Sequence, residues 1–159
     1  MNTKHSQHTE NEDHYRGLLI MTALSFASMY MLMYAMVNAF GNVYNSVNQV
    51  YMAGLMTAPM VVIELVVMRG MYKDARRNAL IGGAAVVLGI VFFAFIRSQT
   101  AVSDGQFLRS MIPHHGGAIL MCERASVQDP EIKQLCSNIL KGQQAEIDQM
   151  KAKLRQLTK

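Results

Sequence analysis

The chain has 159 residues, of which 51% are hydrophobic and only 16% charged, against ~25% charged in an ordinary soluble domain. That composition excludes disorder of the whole chain, and two cysteines exclude a disulfide-dense scaffold. A scattered net charge of +4 gives no footing for nucleic acid as a partner, while 14 methionines supply thioethers that both pack softly and bind soft metals.

Residues 1–16 form a tail with His5, His8 and His14 among Glu10, Glu12 and Asp13. It has little apolar area, which predicts a disordered, solvated segment, with loose divalent-metal binding as the other reading. Residues 17–40 then carry no charge, 47–68 carry only Glu64, and 79–96 carry none. Each run approaches or exceeds the ~18 residues that suggest a membrane-spanning helix. The first is too long for the ~7–15-residue core of a signal peptide, and two more follow it. The prediction is an all-α chain with a three-helix transmembrane region over 17–96.

Orientation follows from lysine and arginine in the flanks. Lys4, Arg16, Arg69, Lys73, Arg76 and Arg77 fall on one side of such a topology, and only Arg97 and Arg109 on the other. The richer side is cytoplasmic by this rule. The tail 1–16 is then cytoplasmic, and residues 97–159 face outward, in the periplasm if the membrane is a bacterial inner membrane. Within the spans, Met52, Met56 and Met60 recur every four residues, and Met29, Met33 and Met36 form a second stripe. They read either as a soft-metal path or as adaptable packing against lipid and neighbouring helices. Glu64 reads either as an intramembrane functional carboxylate or as a side chain snorkelling toward Arg69 or Lys73. Ala79/Gly83 and Ala85/Gly89 are pairs of small residues suited to close helix packing.

The remainder reads as an antiparallel helical hairpin. Ser103 and Gln106 have the spacing of a capping box, and Phe107, Leu108, Met111, Ile112, Ala118, Ile119, Met121 and Cys122 follow as an apolar pattern. Asp129 suits the cap of a second helix, with Pro130 at its first position. Ile132, Leu135, Ile139, Ile147, Met150 and Leu154 continue at helical spacing. Folding the chain about residue 129 sets Cys122 opposite Cys136 and Gly116 opposite Gly142. It sets His115 near Gln143, His114 near Gln144, Met111 near Ile147 and Ile112 near Glu146. One hairpin leaves the stripe of Phe107, Ile119, Ile139 and Ile147 uncovered, which predicts a homodimer through the hairpin.

Pro113, Gly116 and Gly117 break the helical pattern beside His114 and His115. Proline costs ~3 kcal/mol and each glycine ~1 kcal/mol inside a helix, and Pro113 favours a kink. A broken local rule beside paired histidines marks the expected site. Its ligand set is Met111, His114, His115, Met121, Glu146 and Met150, with Cys122 and Cys136 nearby. Imidazole and thioether donors suit copper(I) or silver(I), and no Glu-x-x-His pair for a di-iron centre is present. The cysteines read as a disulfide, as thiolate ligands, or as small apolar residues.

The segment Phe107-Leu-Arg-Ser-Met-Ile-Pro-His-His-Gly-Gly-Ala-Ile-Leu-Met-Cys-Glu, with Asp129-Pro-Glu-Ile and Gln143-Gln-Ala-Glu-Ile-Asp-Gln-Met150 after it, resembles the family known as domain of unknown function 305. The resemblance covers about a third of the chain, from Ser103 to Leu154. It implies a ferritin-like helical fold and an association with copper or silver in the bacterial envelope. On it, Met111, His114, His115, Met121, Glu146 and Met150 are the matching metal positions. Larger members carry two hairpins and this chain carries one, so a four-helix bundle requires two chains. The expected function is non-enzymatic: a membrane-anchored protein that binds or buffers copper or silver and hands the ion to a metal exporter. The rivals are a membrane assembly module whose hairpin dimerises without metal and, third, an oxidoreductase using copper or the cysteine pair.

Overall fold

A computed structural model describes residues 3–157, with side chains from residue 12 onward. Its elements are α1 (Thr3–Leu32), two 3₁₀ turns (Met33–Met36 and Phe40–Asn42), α2 (Val47–Val67), α3 (Ala75–Ser98), α4 (Asp104–Arg124) and α5 (Pro130–Leu157). The chain is all-α, and no strand occurs among the described residues. Three segments are long and apolar enough to cross a membrane: Glu12–Met36, Val47–Val67 and Ala75–Ser98. The first ends at Met36, and the charge-free residues beyond it form an irregular connection.

The fold separates into two compact units. The first comprises Met1–Met31 and Val50–Thr100. Leu18, Val61, Leu65, Tyr72 and Ala85 are its buried centre, with α2 in the middle. The outward faces are apolar: Leu19, Leu24, Leu80 and Ile90 are each more than 60% exposed. Small residues let α2 and α3 meet. Gly89 packs on Ala58, Ala85 is buried beside it, and Gly54 lies under the ring of Phe92, where any Cβ would collide. Gly83, by contrast, faces open space. At one end, Arg77 pairs with Glu12 at 2.8 Å, and Asp74 caps α3 by accepting from the Arg76 and Arg77 amides. Tyr15 donates to Asn78 Oδ1 at 2.6 Å. Glu64 accepts from the Tyr72 hydroxyl at 3.2 Å, so its structural partner is Tyr72 and not Arg69 or Lys73.

The segment before residue 17, expected as a disordered tail, is helical from Thr3. A helix already nucleated in the apolar run extends at one hydrogen bond per added residue, and the Glu12–Arg77 pair ties the extension down. The side chains of His5, His8 and Glu10 lie outside the described residues.

The second unit comprises Leu32–Gln49 and Ala101–Lys159. Helices α4 and α5 form the expected antiparallel hairpin around Ile112, Ile119, Ile147 and Leu154, with Tyr44, Leu108, Leu140 and Met150 packed against them. Ile119 and Ile147 are therefore buried within one chain, and only Phe107 of the predicted dimer stripe is strongly exposed. The connection between α1 and α2 supplies part of that core through Tyr44. Tyr34 pins this connection by donating from its hydroxyl toward the Tyr44 carbonyl and Gln49 Oε1. Asp129 caps α5 as expected, accepting from the Glu131 and Ile132 amides. The capping box at Ser103 does not form, because Ser103 makes no side-chain cap bond and Gln106 is used elsewhere. Its Oε1 accepts from the Val47 amide at 2.9 Å, at the start of α2. Helix α4 runs without interruption through Pro113, which is buried.

Candidate metal centre

His115 is the centre of the site. It sits on the buried face of α4, only 8% exposed, one turn after Met111. Its Nδ1 bonds the Met111 carbonyl at 2.9 Å, and its Nε2 bonds Glu146 Oε2 of α5 at 2.6 Å. A carbonyl only accepts, so Nδ1 carries a hydrogen and Nε2 is the nitrogen turned to the facing helix. One nitrogen is tied to a backbone carbonyl, as in many ligating histidines, and the other is held by Glu146. The Glu146 side chain is 56% exposed, so the pair opens to solvent on that side.

The observed register sets His115 against Glu146, about one turn from the sequence expectation of Gln143. In that register Met111, one turn before His115, falls opposite Met150, one turn after Glu146. Both methionines are partly buried, and Met150 packs on the hairpin core. His115 and Glu146 thus form one level of the hairpin, and Met111 and Met150 lie one turn along it. The other two predicted ligands do not join them. His114 is exposed, with its ring centre 6.1 Å from that of His115, and Met121 is 53% exposed further along α4. Among the described residues no three His, Cys, Asp or Glu side chains converge on one point. A closed tetrahedral zinc site or an oxygen-rich calcium site therefore lacks donors here. The His115 imidazole and the Glu146 carboxylate meet, and the thioethers of Met111 and Met150, a turn away, are the soft donors beside them on the two helices.

The glycines of the motif have a different role from the one expected. Gly142 faces nothing within 4 Å, so it is not the partner of Gly116. A Cβ on Gly116 would stand 2.7 Å from Asn38 Oδ1 and 3.4 Å from Val37, and one on Gly117 would stand 3.5 Å from the Met36 carbonyl. The glycines thus admit the connection after Met36 onto α4 next to His115 in sequence. Asn38 is held in turn by Asn42, whose Nδ2 donates to Asn38 Oδ1 at 2.7 Å, and Asn42 is buried. Sequence reasoning missed Asn38 and Asn42 because it read the run to residue 40 as one span. The signal available was two asparagines four residues apart, flanking Gly41, at the end of an apolar run.

Cys122 and Cys136 face each other as expected, unlinked and within hydrogen-bonding reach. The bond to Cys136, then burial, pushes the Cys122 thiol up to about 11.

The model of the family domain of unknown function 305 matches residues 66–154, more than half of the chain. The chain belongs to this family. The match starts in the last turn of α2 and takes in α3, so the shared region of the domain of unknown function 305 family extends upstream of the hairpin into an apolar helix. An uncharacterized protein of Acanthamoeba polyphaga mimivirus is 34% identical over 136 residues, covering 84% of this chain and 88% of that protein. No solved structure matches the chain.

Proposed function

We propose that this member of the domain of unknown function 305 family is a membrane-anchored protein that binds or buffers copper(I) or silver(I) on its hairpin. The observation that carries this reading is the oriented Nε2 of buried His115, facing half-exposed Glu146 at 2.6 Å, with Met111 and Met150 one turn away along α4 and α5. Binding at Nε2 replaces its hydrogen bond to Glu146 with a bond to the ion. The ion supplies no redox step in this reading; the protein is a binder that passes its cargo to an exporter.

Anchoring rests on the three apolar helices and on their exposed faces. Contiguous apolar surface of that extent is covered by lipid in a stable protein. Each unit by itself agrees with three crossings. The Glu12–Arg77 pair joins the tail to the first turn of α3, and the connection before α2 packs on the hairpin. The lysine and arginine count makes the first of these ends cytoplasmic and places the hairpin on the opposite side, periplasmic in a bacterial inner membrane.

The test is titration of the purified full chain with copper(I) against a chromophoric chelator. His115→Ala weakens binding at the hairpin site at least tenfold, and Glu146→Gln weakens it less. His114→Ala, at an exposed ring, changes it little. If His115→Ala lowers thermal stability but leaves copper(I) affinity at this site intact, the pair is a structural clamp between helices. The assembly-module reading then stands, with exposed Phe107 at one end of the hairpin and Ile132 and Leu135 at the other available to a second copy.

A further inference from the structure

Cys122 lies in the last turn of α4 and Cys136 in the second turn of α5. Seven residues of helix separate Cys122 from His115, about 10 Å, and ten separate Cys136 from Glu146, about 15 Å. The thiols therefore form a place of their own near the closed end of the hairpin. Both side chains are partly exposed, so an ion reaches them from solvent. The Cys136 side chain is the hydrogen-bonding neighbour of the Cys122 thiol across the helix pair. No third His, Cys, Asp or Glu converges with them among the described residues, which leaves zinc short of its four ligands. A soft monovalent ion is satisfied by two thiolates, the softest donors a protein offers.

We propose that Cys122 and Cys136 form a second metal site, a two-thiolate clamp for copper(I) or silver(I), separate from His115 and Glu146. The clamp does not depend on the histidine site. On binding, each S–H bond breaks, both protons go to solvent, and two sulfur–metal bonds form. The clamp then carries one net negative charge and no electrons are transferred. The proton held between the thiols has to be displaced, which the strength of the metal–thiolate bonds offsets.

The experiment uses the full chain in detergent, reduced with a phosphine, and titrated with copper(I) against a chromophoric chelator. The intact chain takes up one more equivalent than the Cys122→Ser/Cys136→Ser double variant. It shows a thiolate-to-copper charge-transfer band in the ultraviolet that the double variant lacks and His115→Ala retains. Stoichiometric copper(I) also protects both thiols of the unsubstituted chain from alkylation, a readout that needs no variant to fold. The proposal is overturned if the double variant binds as many equivalents as the intact chain, or if copper(I) leaves the alkylation rate unchanged. It is overturned equally if the thiols close to a disulfide under these reducing conditions. Retention of the band together with unaltered binding in His115→Ala removes the histidine site while leaving the clamp in place.

Discussion

Gly116 and Gly142 are both glycines inside helices, yet they answer to different surroundings. A helix-interior glycine costs up to ~1 kcal/mol relative to alanine. At Gly142 nothing lies within reach of an added methyl group, so Gly142→Ala stabilises the hairpin by about 0.5–1 kcal/mol. At Gly116 the same gain meets Asn38 Oδ1 at 2.7 Å, an atom tied to buried Asn42. Overpacking of that kind costs ~1–3 kcal/mol, so Gly116→Ala is neutral to destabilising by about 2 kcal/mol. Thermal unfolding followed by circular dichroism ranks the two variants, and the reverse order would show that the connection after Met36 does not seat on α4. Contact with Asn38 and Met36 accounts as well for the broken pattern beside His115. The glycines are tolerated in α4 because they buy close approach of a neighbouring backbone, and Pro113 is tolerated on a buried face where the helix continues past it.

Among elements, the start of α2 depends on a residue 59 positions away. The first amide of a helix has no partner within it, and Gln106 Oε1 of α4 supplies one to Val47 at 2.9 Å. Gln106→Leu removes this acceptor and costs ~0.5–2 kcal/mol, the range for a lost cap. Hydrogen exchange at the Val47 amide speeds up in that variant, while Gln106→Glu, which keeps an oxygen and places a negative charge at the helix N-terminus, retains the protection. Unchanged exchange in Gln106→Leu would mean that the bond does not hold the connection. The hairpin itself was legible in advance, from its caps at Asp129 and Pro130 and from its 3.6-residue periodicity. The facing of Cys122 and Cys136 was legible as well, since positions near the turn have little room to slip, but the two are unlinked where a disulfide was one expectation. The histidine level, further from the turn, stands about a turn from its expected register.

For the molecule as a whole, the charge distribution predicts where the C-terminus goes. A reporter active only outside the cytoplasm, fused after Lys159, is active, and a cytoplasmic reporter at the same position is silent. The opposite pattern would invert the topology and put the hairpin in the cytoplasm. The all-α class, three spanning-length helices and the hairpin were determined by the sequence alone, because charge-free length, helical periodicity and caps are local properties that neighbours in the chain share. The family too was legible, since its motif is a continuous run from Phe107 to Glu123 with a second run after it. Tertiary structure alone decided which candidate ligands meet. It joined His115 to Glu146, left His114 and Met121 outside, and brought Asn38 and Asn42 against Gly116. Those contacts join residues far apart in the chain, and their choice rests on helix register and on packing of a connecting segment, which no local pattern of residues encodes.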